Sequence, residues 1–186
     1  MKTIMIDPGH GGSDAGACYG TALEKNYTMI LALEIEKLIN ASGNRCLLTH
    51  TTADHGIKLK DRTLLENLLK PDCIISVHLD SAGNNTNACG CTAHLHHKAP
   101  KTYVQWAYSI VNELDKICTS NRFDNVYFGY RGNSKQDYAI NRDTKSPSML
   151  LELGFITNAS NRTQFIQHYK DYAKIIVDKT LDFLSM

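Results

Sequence analysis

The sequence lacks a long apolar run, and it lacks an excess of charge of either sign. No stretch approaches the roughly 18 consecutive apolar residues that predict a membrane-spanning helix. Lys and Arg total 20 against 19 Asp and Glu, which leaves a formal net charge of +1. No run of basic residues marks a nucleic-acid-binding surface. We therefore expect neither membrane insertion nor nucleic-acid binding.

A secretory leader is also missing from the N-terminal residues. Met1-Lys2-Thr3 precedes only three apolar residues, and Asp7 and Pro8 follow them at once. A signal peptide needs an apolar core of roughly 7–15 residues. We therefore predict no signal peptide in this sequence.

Several common metal and nucleotide motifs are absent as well. There is no His-Glu-x-x-His, no Cys-x-x-Cys, and no P-loop ending in Lys-Ser/Thr. The six cysteines are too few to suggest a disulfide scaffold in a chain of 186 residues without a leader. We predict free thiols at all six positions, namely Cys18, Cys46, Cys73, Cys89, Cys91 and Cys118.

What is present is typical of one globular domain. The hydrophobic fraction is 42% and the charged fraction 21%, and a chain of this length fits a single core. The pattern alternates between short apolar runs and stretches with helical spacing. It predicts strands at residues 2–7, 46–49, 73–78, 91–96 and 149–153, with a less regular one near 138–141. It predicts helices at residues 25–42, 59–69, 103–117 and 168–184.

This alternation predicts an α/β fold, with residues 1–186 forming a single domain around a twisted, mostly parallel sheet that has helices on both faces. In such sheets, ligands bind beyond the carboxyl ends of the strands. Three predicted strands end in polar residues at those positions. His10 follows the first strand, His78 ends the third, and Glu152 lies in the last.

Each of these residues also has a structural interpretation. His10 could be an ordinary polar residue of a glycine-rich turn, and His78 a hydrogen-bonded histidine at the edge of the core. Glu152 could form an ion pair with Arg131 or Arg142. Glu24 could simply favour the positive end of the helix that it opens. The functional alternative is a cluster of two His and a Glu, which is a known catalytic zinc arrangement with one open position.

Taken together, these segments resemble the zinc-dependent N-acetylmuramoyl-L-alanine amidases that open with Asp-x-Gly-His-Gly-Gly. The matching pieces occur in family order and span nearly the whole chain. They are IMIDPGHGGSDAGA at 4–17, Glu24, Arg62, SVHLDSA at 76–82 and LLELGFITN at 150–158. The segment after His78 departs from the family pattern by an extra serine, Ser81, which could alter the wall of the substrate groove.

The resemblance implies one zinc ion per chain, held by His10, Glu24 and His78. It implies that Glu152 is the catalytic acid and base. Asp7 or Asp80 is expected to support a histidine ligand through its second ring nitrogen. Residues 119–147 match the family least well, and Arg131 and Asn141 are the candidate substrate contacts there.

The implied reaction is hydrolysis of the amide between N-acetylmuramic acid and L-alanine in peptidoglycan. The alternatives are a different zinc peptidase or amidase of the cell wall, and a binding module without catalysis. Without a leader, the chain resembles the catalytic part of a phage endolysin, made in the cytoplasm and acting on the wall beside a separate wall-binding domain. A secreted amidase is the alternative setting.

Overall fold

The computed structural model describes residues 1–121, 124–133 and 135–186. Thirteen elements occur within those residues. In chain order they are β1 (Thr3–Pro8), β2 (Cys18–Tyr19), β3 (Ala22–Leu23), α1 (Glu24–Ala41), β4 (Arg45–Leu48), α2 (Leu59–Leu69), β5 (Cys73–Asp80), β6 (Cys91–Leu95), α3 (Lys101–Leu114), β7 (Val126–Phe128), α4 (Ala139–Arg142), β8 (Ser148–Phe155) and α5 (Ala159–Ser185).

The main sheet has six strands in the order β4-β1-β5-β8-β6-β7. Strands β4, β1, β5 and β8 are parallel to one another, whereas β6 runs antiparallel to β8. Strand β7 pairs in parallel with β6 at the far edge. The prediction of a mostly parallel sheet is therefore confirmed. Three neighbouring parallel strands, β1, β5 and β8, point their carboxyl ends to one edge.

Helices cover both faces of this sheet, as predicted. The larger core packs α1, α3 and α5 against one face, with Trp106, Phe165 and Tyr172 fully buried. A smaller cluster on the other face joins Met5 and Ile74 to residues of α2 and α4. The strands are apolar on both faces because both faces are covered.

One prediction in the irregular region was wrong, and one strand there was missed. Residues 138–141 do not form a strand. They lead into the single-turn helix α4, in which the backbone N–H groups of Asn141 and Arg142 both donate to the carbonyl of Tyr138, at 2.9 Å. A short apolar run does not distinguish the two conformations. The three-residue edge strand β7 was also missed, since it is too short to show an alternation.

The last helix begins earlier than predicted, at Ala159. Its N-cap is Asn158, whose side-chain oxygen accepts a hydrogen bond from the backbone N–H of Asn161 at 2.9 Å. The six cysteines form no disulfide in the structure, and only Cys18 among them is exposed. Within the residues described, the helices are too short or too polar to cross a membrane.

Candidate metal centre and catalytic pocket

Three elements bring His10, Glu24 and His78 together at the carboxyl edge of the sheet. His10 lies in the turn after β1, Glu24 is the first residue of α1, and His78 lies in β5. The Glu24 carboxylate bridges the two rings. Its Oε2 lies 3.0 Å from His10 Nε2, and its Oε1 lies 2.9 Å from His78 Nδ1.

The donor atoms fit a zinc ion. Each residue offers one ligand atom, and the three atoms lie within 4.8 Å of one another. Two nitrogens and a carboxylate oxygen are a donor set that zinc accepts. Next to these donor atoms, backbone positions 9 and 16 have room only for glycine. A Cβ on Gly16 would lie 2.5 Å from His10 Cδ2 and 2.6 Å from Glu24 Oε2, and one on Gly9 would lie 2.5 Å from the His78 ring.

Hydrogen bonds hold Glu24 in its charged form. Burial alone would raise the pKa of Glu24, but the hydrogen bonds from His10 and His78 outweigh it and hold the pKa well below its usual value. The backbone N–H groups of Ala17 and Leu79 also donate to this carboxylate, at 2.8 and 3.0 Å. Glu24 is therefore fixed in orientation as well as in charge.

The second ring nitrogen of His10 contacts Asp14. His10 Nδ1 lies 2.9 Å from Asp14 Oδ2. Burial alone would lower the pKa of His10, but Glu24 and Asp14 together raise it to about 8. Sequence analysis had expected Asp7 or Asp80 to support a histidine ligand, and it did not single out Asp14. A carboxylate in this position orients the imidazole and fixes which nitrogen is free.

Asp7 has a different task, which is to anchor a buried arginine beneath the site. Arg62 Nη1 donates to Asp7 Oδ1 at 2.7 Å, and the Thr49 and Ser76 hydroxyls donate to the same carboxylate at 2.7 Å each. Arg62 also donates to the backbone oxygens of Pro8 and His10, at 2.5 Å each. This clamp holds His10 in a left-handed backbone conformation, with φ at +66°, which is uncommon for a residue other than glycine.

Glu152 lies in the wall of the same cavity, which has a volume of about 410 Å³. It pairs in register with His78 across β5 and β8, so both side chains face the same side of the sheet. Its side chain is buried, with 9% exposed. The arginine partner considered for it, Arg142, instead donates to Asp143 from Nε and Nη2 at 2.7 Å each.

The two candidate substrate contacts separate in the structure. Arg131 is exposed and lines the cavity beside Tyr130 and Tyr138. Asn141 is buried, and its side-chain amide donates to the backbone oxygen of His94 at 2.8 Å. Asn141 therefore supports β6. The two tyrosines were not foreseen, since nothing in the sequence between residues 119 and 147 indicates which aromatic rings face the cavity.

A second group of potential ligands lies outside the cavity. His97 Nδ1 and His97 N both contact the Asp137 carboxylate, at 2.5 and 2.7 Å, and His96 Nε2 lies 3.4 Å from it. The two imidazole rings stack at a centroid distance of 4.4 Å. Stacked rings do not direct two lone pairs at one ion, so this group fits a structural clasp better than a metal site.

The chain resembles known proteins both in sequence and in fold. Residues 4–180 match the family model described as N-acetylmuramoyl-L-alanine amidase. A probable cell wall amidase, LytH, from Staphylococcus epidermidis is 34% identical over 99% of this chain, which spans 59% of the length of that relative. The same-named protein of Staphylococcus aureus is 33% identical over 87% of the chain and 50% of its own length.

A solved structure has the same fold. The crystal structure of an N-acetylmuramoyl-L-alanine amidase from Clostridium difficile 630 aligns over 99% of this chain and 97% of its own length. The TM-score is 0.86 and the sequence identity is 26%.

Proposed function

Because this chain belongs to the N-acetylmuramoyl-L-alanine amidase family, we propose that it hydrolyses the amide between N-acetylmuramic acid and L-alanine in peptidoglycan, with one zinc ion. The observation that carries the proposal is the convergence of His10, Glu24 and His78 beside Glu152 in one cavity. The sequence resemblance assigns roles to the same four residues, and their proximity supports the proposal.

In this proposal, His10, Glu24 and His78 hold the metal, and Asp14 orients the His10 ring. A bound zinc ion would supply Lewis acidity, which polarises a carbonyl oxygen and lowers the pKa of water toward neutrality. The glycines at positions 9 and 16 let the backbone press against the ligands, which fixes their orientation. The Arg62 clamp holds the turn that carries His10.

Glu152 is the proposed proton carrier. Its carboxylate accepts a proton from the attacking water, and the water oxygen forms a bond to the amide carbonyl carbon. The protonated carboxyl group then donates to the leaving nitrogen as the C–N bond breaks. The products are a lactyl carboxylate on the sugar and a free amino group on alanine. The cavity wall keeps Glu152 largely away from bulk water, which suits a group that exchanges protons with the substrate.

The test is hydrolysis of purified cell walls and of a soluble muramyl peptide, followed by labelling of the new amino termini. We expect new alanine amino termini, and we expect loss of activity with a zinc chelator and its return with added zinc. The soluble substrate matters because this chain spans only part of its longer relatives, so activity on whole walls could require segments beyond it.

Variants separate metal binding from proton transfer. Glu152→Gln should retain one zinc and lose at least ~100-fold in turnover, whereas His10→Ala should lose zinc. Glu113→Gln, at a surface glutamate of α3 paired with Lys116, is the matched control and should behave as the unchanged protein. Turnover retained in Glu152→Gln would contradict the catalytic assignment. A new terminus other than alanine would support a different zinc peptidase of the wall.

The biological setting remains a prediction. The named relatives from staphylococci are described as cell wall amidases, which favours action at the wall. Phage lysis and secretion are the two settings expected from the sequence, and a wall-binding module without catalysis is the alternative that a failed hydrolysis assay would favour.

A further inference from the structure

A second cavity, of about 340 Å³, adjoins the one that contains Glu152. The two share Asp80, Ser81, Arg131 and Tyr138 in their walls, so these four residues lie at the junction of the two cavities. The wall of the second cavity also includes the rings of Tyr127 and Phe155. A substrate that has its scissile bond at the metal centre and is longer than the first cavity would extend past Arg131.

Arg131 is held at this junction by a rigid turn. Its own φ is +48°, and the turn is closed by a hydrogen bond from the backbone N–H of Asn133 to the carbonyl of Tyr130, at 2.8 Å. The N–H of Gly129 donates to the carbonyl of Leu95 at 2.8 Å, which ties the turn to β6. A left-handed backbone at a residue with a side chain is costly, and such residues are retained where their position matters.

The surroundings of Arg131 are aromatic. Its guanidinium carbon lies 5.5 Å from the centroid of the Tyr130 ring, and Tyr138 lines the same part of the cavity wall. Burial, together with the charge of Glu152, raises the pKa of Tyr138 well above its usual value, so the phenol stays neutral. Among the described residues Arg131 forms no ion pair, and the carboxylate charge that acts on it is that of Asp80.

The charge balance of the groove gives Arg131 a specific task. The other arginine in the wall, Arg62, is committed to Asp7. Asp14 and Glu24 are paired with the two histidines, so Arg131 is the arginine of the described wall that is left to face a ligand. A planar guanidinium binds a carboxylate through two parallel hydrogen bonds.

We propose that Arg131 binds a carboxylate of the stem peptide and makes the enzyme selective for acidic stems. This inference rests on the proposed function. In peptidoglycan the residue after L-alanine is a glutamate that is joined to the next residue through its side-chain carboxyl group. Its α-carboxyl group is either a free carboxylate or a carboxamide. A carboxamide of the same shape keeps the size of the group but loses the charge.

The test compares two soluble substrates, N-acetylmuramyl-L-alanyl-D-isoglutamate and the matching isoglutamine compound. We expect the unchanged protein to prefer the carboxylate by about tenfold or more in kcat/KM, mainly through KM, because charge-assisted bidentate hydrogen bonds are roughly twice as strong as neutral ones. Arg131→Gln should bring the two substrates within about twofold of each other, and Arg131→Lys should restore only part of the preference. Arg131 is exposed, so these variants should fold.

Arg45→Gln is the matched control, since Arg45 is an exposed arginine on β4 at the opposite edge of the sheet, and it should keep the full preference. Equal cleavage of both substrates by the unchanged protein, or an unaltered ratio in Arg131→Gln, would overturn the inference while leaving the amidase intact. Cleavage of neither substrate would overturn the proposed function, and the selectivity with it.

Discussion

Single residues at this site act through backbone shape as much as through side chains. His10 has a φ of +66° and Gly16 one of +70°, and both lie within the short connection from β1 to α1. The turn brings the His10 ring and the Glu24 carboxylate against the Gly16 backbone, where there is no room for a side chain. Gly16 therefore fixes the distance between two proposed ligands without being a ligand itself.

Gly16→Ala tests this packing. A Cβ 2.5 Å from the His10 ring and 2.6 Å from the Glu24 carboxylate must displace one of them. We expect zinc affinity to fall by roughly 10–100-fold, as it does when residues that orient metal ligands are changed. Competition with a chromophoric chelator measures the dissociation constant.

Gly20→Ala is the matched control for Gly16→Ala. Gly20 also has a positive φ, of +59°, but a Cβ there meets nothing within 4 Å. Both variants carry the strain of a left-handed alanine, about 1–2 kcal/mol, and only Gly16→Ala adds the clash. Equal zinc affinity in the two variants would show that the contact with the ligands does not matter.

The sequence was most informative about residues that directly follow strands. His10, His78 and Glu152 could be singled out because the carboxyl ends of parallel strands meet at one edge. Asp14 could not, since its role depends on the left-handed turn that directs it back at His10. Tyr130 and Tyr138 were missed for a related reason, because their orientation is set by a turn with no periodic pattern.

Among the elements, the segment from Gly129 to Tyr138 links the edge strand to the groove. It follows β7 and precedes α4, neither of which sequence analysis predicted. Long periodic elements such as α1 and α2 were predicted nearly to the residue, since their apolar spacing is decisive. Its described residues, 129–133 and 135–138, are held instead by contacts distant in sequence, such as those from Asp137 to His97.

Asp137→Asn tests this clasp through its pH dependence. Burial alone would raise the pKa of Asp137, but the hydrogen bonds from His97 and the nearby charge of His96 hold it below its usual value; Arg142 also faces it. A carboxylate whose pKa is lower in the folded state than in the unfolded state stabilises the protein at pH values above its unfolded-state pKa, about 3.9. This contribution is lost as the pH falls through the folded-state pKa.

We therefore expect Asp137→Asn to lower Tm by roughly 2–8 °C at pH 7, for a loss of about 1–2 kcal/mol. The difference from the unchanged protein should shrink as pH falls below about 3.9. Asp171→Asn is the matched control, because Asp171 forms an exposed pair with His168 at 3.0 Å and exposed pairs contribute little. Thermal unfolding across pH 3–7 gives both comparisons, and a difference that does not vary with pH would contradict the clasp.

At the scale of the whole molecule, the site joins parts of the chain that are far apart in sequence. The first turn, the start of α1 and β5 supply the proposed ligands, and β8 supplies Glu152 from the neighbouring strand. Glu24 is buried at the start of α1, a helix that packs on α5. A metal held there ties β1, α1 and β5 together in the folded state only, because the unfolded chain has no preformed set of these donors.

Zinc binding should therefore raise the stability of the whole fold. At a free zinc concentration 100 times the dissociation constant, binding to the folded state adds about 2.7 kcal/mol, which for a chain of this size raises Tm by roughly 5–11 °C. Calorimetry of the unchanged protein and of Glu24→Gln, with and without zinc, measures this shift. The variant should show little or no rise in Tm. Both proteins carry the same six cysteines, so any zinc bound by the unfolded chain reduces the rise in Tm equally in both. An equal rise in Tm for the two proteins would place the stabilising metal elsewhere than at Glu24.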